Sequence, residues 1–323
     1  MLMLCSVFDG FYQTVFMCAG RTIVPKPRHV SKLFIPIILV SLIIIHTLLI
    51  NHSTRNARRL YKKLLHNYEE SNIQADTSKK LHIVTQFPVM SNGSQVTLIR
   101  QRQHEYIKAL ELNHQHPQVE KIHLLLERHE DIKFLENSTA QREKIKYHSL
   151  NRRMFYGDAF RYVSEFLLNK TAIIMNADCY LGEGFQKLNV DILRKGTVYA
   201  LTRHETPDAI KKCGVKDFCS PQAKYIGSHD AFVIHLVTPL PSNFLDTMMV
   251  RQDIVGVEKF IIFILRVHGK FTVRNPCTVL FIFHNHCTKL INRKQRLIHG
   301  KRINNIYLAN EPLWRTNAPF SGL

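Results

Sequence analysis

The sequence has no internal repeat and no low-complexity tract, which excludes solenoid and array architectures. It has no HExxH motif, which argues against a zinc hydrolase built on that helix. Nucleic-acid motifs are also missing, and the basic residues are dispersed rather than gathered into a stripe, which argues against a nucleic-acid partner. Acidic residues are scarce: 25 Asp plus Glu stand against 44 Lys plus Arg, a formal net charge of +19. Such an excess favours an anionic partner, but charge alone does not choose between phosphate and acidic lipid. With 45% hydrophobic and 21% charged residues, the chain is neither disordered nor collagen-like. Its 323 residues suffice for a sizeable core, so disulfides alone need not hold it.

One uncharged run stands out. Residues 33–50, LFIPIILVSLIIIHTLLI, span roughly 27 Å as a helix, close to the hydrocarbon thickness of early secretory membranes. No small-x-small cleavage site follows, so the run predicts an uncleaved signal anchor. The expected organisation is a short cytosolic tail (1–32), a transmembrane signal anchor (33–50), a polar stem (51–80) and a luminal domain (81–323). Flanking charge gives no orientation, but the sequons at Asn51, Asn92, Asn137 and Asn169 all follow the run, which favours a luminal C-terminal body. The predicted location is therefore the Golgi or endoplasmic reticulum membrane, single-pass type II, with membrane contact through residues 33–50. Cys213 with Cys219 and Cys277 with Cys287 are candidate local disulfides, leaving Cys179 over; five reduced thiols are the alternative.

From Leu81 onward, strand and helix patterns alternate. LHIVTQF, KIHLLLE, TAIIMNA and TVYALTR read as strands; VTLIRQRQHEYIKALELN, RMFYGDAFRYVSEFLL and EGFQKLNVDILRK read as helices. Such alternation predicts an α/β fold around a mostly parallel sheet. In such sheets ligands lie beyond the carboxyl ends of the strands, so the polar residues there carry the functional reading.

Three clusters meet that condition. The strand TAIIM runs into Asn176-Ala-Asp178, where Asp178 suits a hard divalent cation and Asn176 a ribose or phosphate; a turn-capping aspartate is the bland alternative. The apolar strand TVLFIF ends at His284-Asn-His286, whose period-two spacing puts both imidazoles on one side, unless they are ordinary surface histidines. Gly227-Ser-His-Asp230 carries a carboxylate into a strand, placed to act as a base or to orient a hydroxyl.

Taken in order, IVTQF, the helix with Arg102 and Glu105, Arg152-Arg153 before the Tyr156/Asp158 helix, Asn-x-Asp178, ALTRHE, GSHDAFVI, RNP and HNH resemble a type II membrane glycosyltransferase-like family of the GT-A fold, the nucleotide-diphospho-sugar transferase type. The resemblance covers about residues 81–296. It implies a GT-A, Rossmann-like, mostly parallel sheet flanked by helices and preceded by one transmembrane helix. It also implies Mn2+ or Mg2+ held by Asp178, His284 and His286, and a nucleoside diphosphate sugar donor contacted by Arg152, Arg153, Asn176, Thr202 and Arg203. Asp230, or alternatively Glu258, would be the catalytic base, acting on a hydroxyl of a glycan, glycoprotein or glycolipid acceptor. The chain departs from the family pattern at Thr202-Arg203-His204-Glu205, at Ser228 to Phe232 and at Gly256-Val257-Glu258-Lys259. A catalytically silent luminal glycan- or nucleotide-binding protein on the same fold is therefore the alternative, with a zinc hydrolase on His284 and His286 behind it.

Overall fold

A computed structural model describes residues 80–90, 96–139, 142–219, 228–288, 290 and 296–323. They belong to one unit, Ala75–Leu323. Strands are β1 (Leu81–Gln86), β2 (Val119–Leu126), β3 (Ile145–Ser149), β4 (Thr171–Met175), β5 (Cys179–Leu181), β6 (Thr197–Thr202), β7 (His229–His235), β8 (Thr272–Arg274) and β9 (Ile282–His284). Helices are α1 (Val96–Gln115), α2 (Asp131–Ser138), α3 (Tyr156–Phe166), α4 (Val190–Arg194), α5 (Pro207–Cys213), α6 (Ser242–Asp246), α7 (Val257–Phe263), α8 (Ile303–Tyr307) and α9 (Leu313–Thr316).

Seven strands form one sheet in the order β3-β2-β1-β4-β7-β6-β8. Only β7 runs against its neighbours, β4 and β6; the other pairings are parallel, so the sheet is mixed and mostly parallel as expected. Its chain order turns back between β1 and β4, which places a crevice beyond their carboxyl ends. The small sheet β5-β9 sits there, pairing Cys179 with His284.

Both faces of the main sheet are covered, which explains strands that read as unbroken apolar runs rather than alternating ones. In β4 every residue is buried: Ala172 and Ile174 pack with Phe160, Val163 and Phe232 on one face, Ile173 and Met175 with Leu110, Ile122 and Val233 on the other. Each large apolar side chain buried this way contributes about 1.5–3 kcal/mol. Helix α3 is started by Asp158, whose Oδ2 accepts the Phe155 amide at 2.8 Å.

Several expectations are corrected. The segment EGFQKLNVDILRK is not one helix: a short 3-10 turn at Phe185–Lys187 is followed by α4, begun afresh where Asn189 Oδ1 accepts the Asp191 amide. Gly184, at φ 101°, enters that turn in a conformation open to glycine, with the Val279 carbonyl where a side chain would stand. The apolar stretch 278–283 is strand only from Ile282, because residues 276–280 turn on the Pro276 carbonyl. The disulfides are Cys213–Cys287 and Cys219–Cys277, not the local pairs; close spacing gave way to a fold that brings the segment after α5 against the flanks of β9. Cys179 is the buried free thiol, as expected.

The membrane anchor is also corrected. Among the described residues no helix is long and apolar enough to cross a membrane. Helix α1 has the length, at 20 residues, but Arg100, Arg102, Glu105, Lys108 and Glu111 interrupt it. Residues 1–79, which hold the predicted tail, the run 33–50 and nearly all of the stem, lie outside the described residues. Over the described residues the fold class is therefore α/β without a transmembrane helix, and the Golgi or endoplasmic reticulum placement, which rested on that helix, is withdrawn.

Candidate metal centre and the adjoining carboxylates

The crevice collects its polar residues from strand ends distant in sequence. Where β4 stops at Met175, the chain turns through Asn176 to Asp178 before β5 pairs with β9, so Asp178 faces the histidines that leave β9. The Asn285 amide fixes that juxtaposition by donating to the Asp178 carbonyl at 2.7 Å.

Asp178, His284 and His286 each offer one atom to a common point, all within 4.8 Å of one another. Asp178 Oδ2 lies 3.3 Å from His284 Nε2 and 3.4 Å from His286 Nδ1. The outward nitrogens are both engaged: His284 Nδ1 meets Glu205 Oε1 at 3.0 Å, and His286 Nε2 meets the Thr288 carbonyl at 2.7 Å. Since carboxylate and carbonyl only accept, the outward nitrogens carry the hydrogens, and in the neutral rings the inward nitrogens present lone pairs toward Asp178. Three acceptor atoms facing one another need a positive charge between them, and ring nitrogens braced from outside are how proteins orient metal-binding histidines. The residues therefore fit a divalent cation. Two imidazoles with one carboxylate suit Mn2+ or Zn2+ better than Mg2+, which prefers oxygen.

The charges of the centre lean on one another. Burial works to raise the Asp178 carboxyl, but the Arg102 guanidinium and the two histidines outweigh it and hold it well below the usual range. Burial likewise works to lower His284, yet Asp178 and Glu205 leave it raised to about 9. His286, half-buried, is lowered by that burial and by the Arg102 charge.

Asp230 lies beside this centre in a different setting. Its Oδ1 accepts Asn176 Nδ2 at 2.7 Å; its Oδ2 accepts Ser228 Oγ at 2.8 Å and Arg203 Nη1 at 3.2 Å. Ser228 adopts φ 52°, an uncommon backbone for a non-glycine residue, and one that aims its hydroxyl at Asp230. Glu258, half-buried in the first turn of α7, is pushed up to about 7 by burial and then by the Asp230 charge. Helix α7 begins at Gly256, whose φ of 86° and close contact with the Asn304 side chain leave no room for a Cβ.

Asn176, Asp178, Arg203, Asp230, His284 and His286 are thus brought together, with Glu258 within electrostatic reach of Asp230. Thr202, expected to line the sugar, is fully buried, and its hydroxyl is engaged by Asn275 and His229. Arg152 forms a two-point pair with Asp158 at 2.6 and 2.7 Å, and Arg153 meets Asp253 at 3.2 Å; neither touches Asp178 or Asp230.

The sequence reading gave no role to Glu205, Arg102 or Glu105. Glu205 is buried and binds both His284 and Arg203. His204 stacks on Phe281 with ring centroids 4.5 Å apart. An Arg and a Glu three apart on an amphipathic helix read as a surface pair, so nothing local marked Arg102 and Glu105 as part of the crevice.

No protein-family model matches the chain, and no curated protein does. Among solved structures it is similar to HddC from Yersinia pseudotuberculosis (12% identity over 63% of this chain and 92% of that one, TM-score 0.36). It is also similar to 4-diphosphocytidyl-2C-methyl-D-erythritol synthase from Anaerococcus prevotii (11%, 72% and 100%, TM-score 0.35). A third is TarS 1–349 of S. aureus in complex with UDP-GlcNAc (8%, 52% and 46%, TM-score 0.29). Likeness at that level bears on neither activity nor substrate.

Proposed function

We propose that the protein is a metal-assisted transferase that moves a sugar from a nucleoside diphosphate sugar to a hydroxyl of a glycan, glycoprotein or glycolipid. The observation that carries this reading is the braced Asp178, His284, His286 centre at the turn-back of the sheet, with a second set of carboxylates one strand away. Bound there, Mn2+ would supply positive charge to the leaving diphosphate.

The chain's own groups divide the remaining work. Arg203, held between Glu205 and Asp230, contributes fixed positive charge beside the centre, and Asn176 keeps Asp230 oriented. Of the two candidate bases, Glu258 suits the task better. A carboxyl near 7 is poised to take a proton from an acceptor hydroxyl at neutral pH, whereas Asp230 has both oxygens committed to donors. Asp230 is accordingly read as the residue that raises Glu258 and positions Arg203.

The reading is tested by thermal stabilisation of the full chain with uridine, guanosine, cytidine and adenosine diphosphates, each with and without Mn2+. A ligand at 100 times its dissociation constant adds about 2.7 kcal/mol. Stabilisation that needs both nucleotide and Mn2+ is expected. Binding of a nucleotide sugar with neither transfer nor hydrolysis would favour the silent binder. The two-histidine, one-carboxylate set also suits zinc, so stabilisation by Zn2+ alone, indifferent to nucleotides, would favour the hydrolase.

A further inference from the structure

The point where the three metal-facing atoms converge is already served by a cation of the chain itself. Arg102, buried on α1 with its guanidinium 4.3 Å from the centre of the Tyr106 ring, donates Nη2 to Asp178 Oδ2. That is the same oxygen that faces both histidines. Its other nitrogen, Nη1, donates to Glu105 Oε2 at 2.7 Å. The guanidinium thus bridges two carboxylates, one of which a divalent cation would need.

A metal ion and a guanidinium cannot comfortably share one carboxylate oxygen. Held against the same oxygen, a guanidinium and a divalent ion repel each other, twice as strongly as two single charges would. We propose that Arg102 is a resident counter-cation: it neutralises Asp178 in the metal-free protein and must release that oxygen for a divalent cation to bind. Glu105 is the seat it withdraws to.

Glu105 is built to stay in place while this happens. Its Oε1 accepts the Cys287 amide at 2.8 Å, the Thr288 amide at 2.8 Å and the Thr288 hydroxyl at 2.9 Å, all in the chain leaving His286. Its backbone carbonyl accepts Asn285 Nδ2 at 2.8 Å. Arg102 therefore keeps a fixed carboxylate partner whichever state Asp178 is in, so releasing Asp178 does not leave a buried guanidinium unpaired. The metal affinity of the centre is set by this competition as well as by its three donors.

The inference goes beyond the transferase reading and rests only on the trio as a cation site. Its test is a titration of the full chain with Mn2+ alone, free ion being counted by its electron paramagnetic resonance signal. Arg102→Gln, which removes the competitor, should bind Mn2+ about 10-fold or more tightly than wild type. Arg102→Lys keeps the charge but has no second nitrogen to bridge both carboxylates, so it should tighten binding by a smaller factor; it decides the question if Arg102→Gln does not fold. Unchanged or weaker Mn2+ binding in the folded variant overturns the proposal, because Arg102 would then merely hold Asp178 in position. Tightened binding that persists when Asp178→Asn is added also overturns it, since the ion would be elsewhere. No nucleotide enters the titration, so its failure leaves the transferase reading standing.

Discussion

Two carboxylates, Asp178 and Asp230, sit side by side in one crevice, both buried, and each accepts from an arginine. They differ in what else surrounds them. Asp178 confronts two imidazoles braced from outside by Glu205 and the Thr288 carbonyl, a donor set that suits a cation. Asp230 is met by an amide and a hydroxyl that donate to it directly, so its environment is already complete. Burial and residue type are alike; on the proposed reading the orientation of neighbouring donors makes one a candidate ligand and the other a positioning group. Glu258 is the third case, a carboxyl with little to stabilise its charge, and therefore the one suited to exchange a proton near neutrality.

The sharpest way to break this comparison is to remove Asp178. Asp178→Ala should abolish Mn2+ binding and lower stability by about 1–3 kcal/mol in urea denaturation, the cost of one lost hydrogen-bond partner, because Glu105 keeps the Arg102 guanidinium paired. Asp178→Asn should lose the metal with a smaller stability cost. Glu258→Gln comes next: transfer should fall by about 10²–10⁴-fold, the range of general-base catalysis, with nucleotide affinity unchanged. Wild-type transfer should rise with pH through about 7, and this rise should vanish in the variant's residual rate.

The same residue gives a stability test whose sign is fixed by linkage. Glu258 has a folded-state value raised above its ordinary 4.5, so its contribution is fully present below about 4.5 and lost as pH rises to about 7. Glu258→Gln should therefore raise stability at pH 8, by up to about 3 kcal/mol, and leave it unchanged at pH 4.

Smaller effects sharpen the contrast. Glu205→Gln, which weakens the brace on His284 without touching the ion, should lower Mn2+ affinity by about 10–100-fold in the same resonance titration. Asp230→Asn should lower stability by about 1–3 kcal/mol, since it turns a donor toward donors. Its pH-rate profile should move to lower pH, because the charge that raises Glu258 is gone. Loss of the pH-dependent rise in this variant would return the base assignment to Asp230.

How much of this was legible in the sequence follows from the range of the interactions. The strands β1, β2, β4 and β6 and the helix α1 were readable because each is a local pattern of sufficient length. Asp178 was marked by its place after a buried strand, and His284 with His286 by their spacing at a strand end. The antiparallel insertion of β7 was not readable, because pairing direction is decided by partners that no local pattern names. The crossed disulfides were missed for the same reason: 74 residues separate Cys213 from Cys287, and 58 separate Cys219 from Cys277. Arg102 lies 76 residues from Asp178 on a helix that looked like any amphipathic surface helix, so its place in the crevice emerged only from the fold. The partners of Thr202 were not legible either, because a strand-end hydroxyl looks alike whether it faces solvent or, as here, Asn275.

The central claim is that the Asp178 centre exists to hold a cation on a nucleoside diphosphate. The measurement that meets it most directly is calorimetric titration of nucleoside diphosphates into the full chain with Mn2+ and with chelator, for wild type and Asp178→Asn. The account predicts binding of at least one nucleoside diphosphate in wild type with Mn2+ only, and none in Asp178→Asn. Equal affinity with chelator, or undiminished Mn2+-dependent binding in the folded variant, would contradict it.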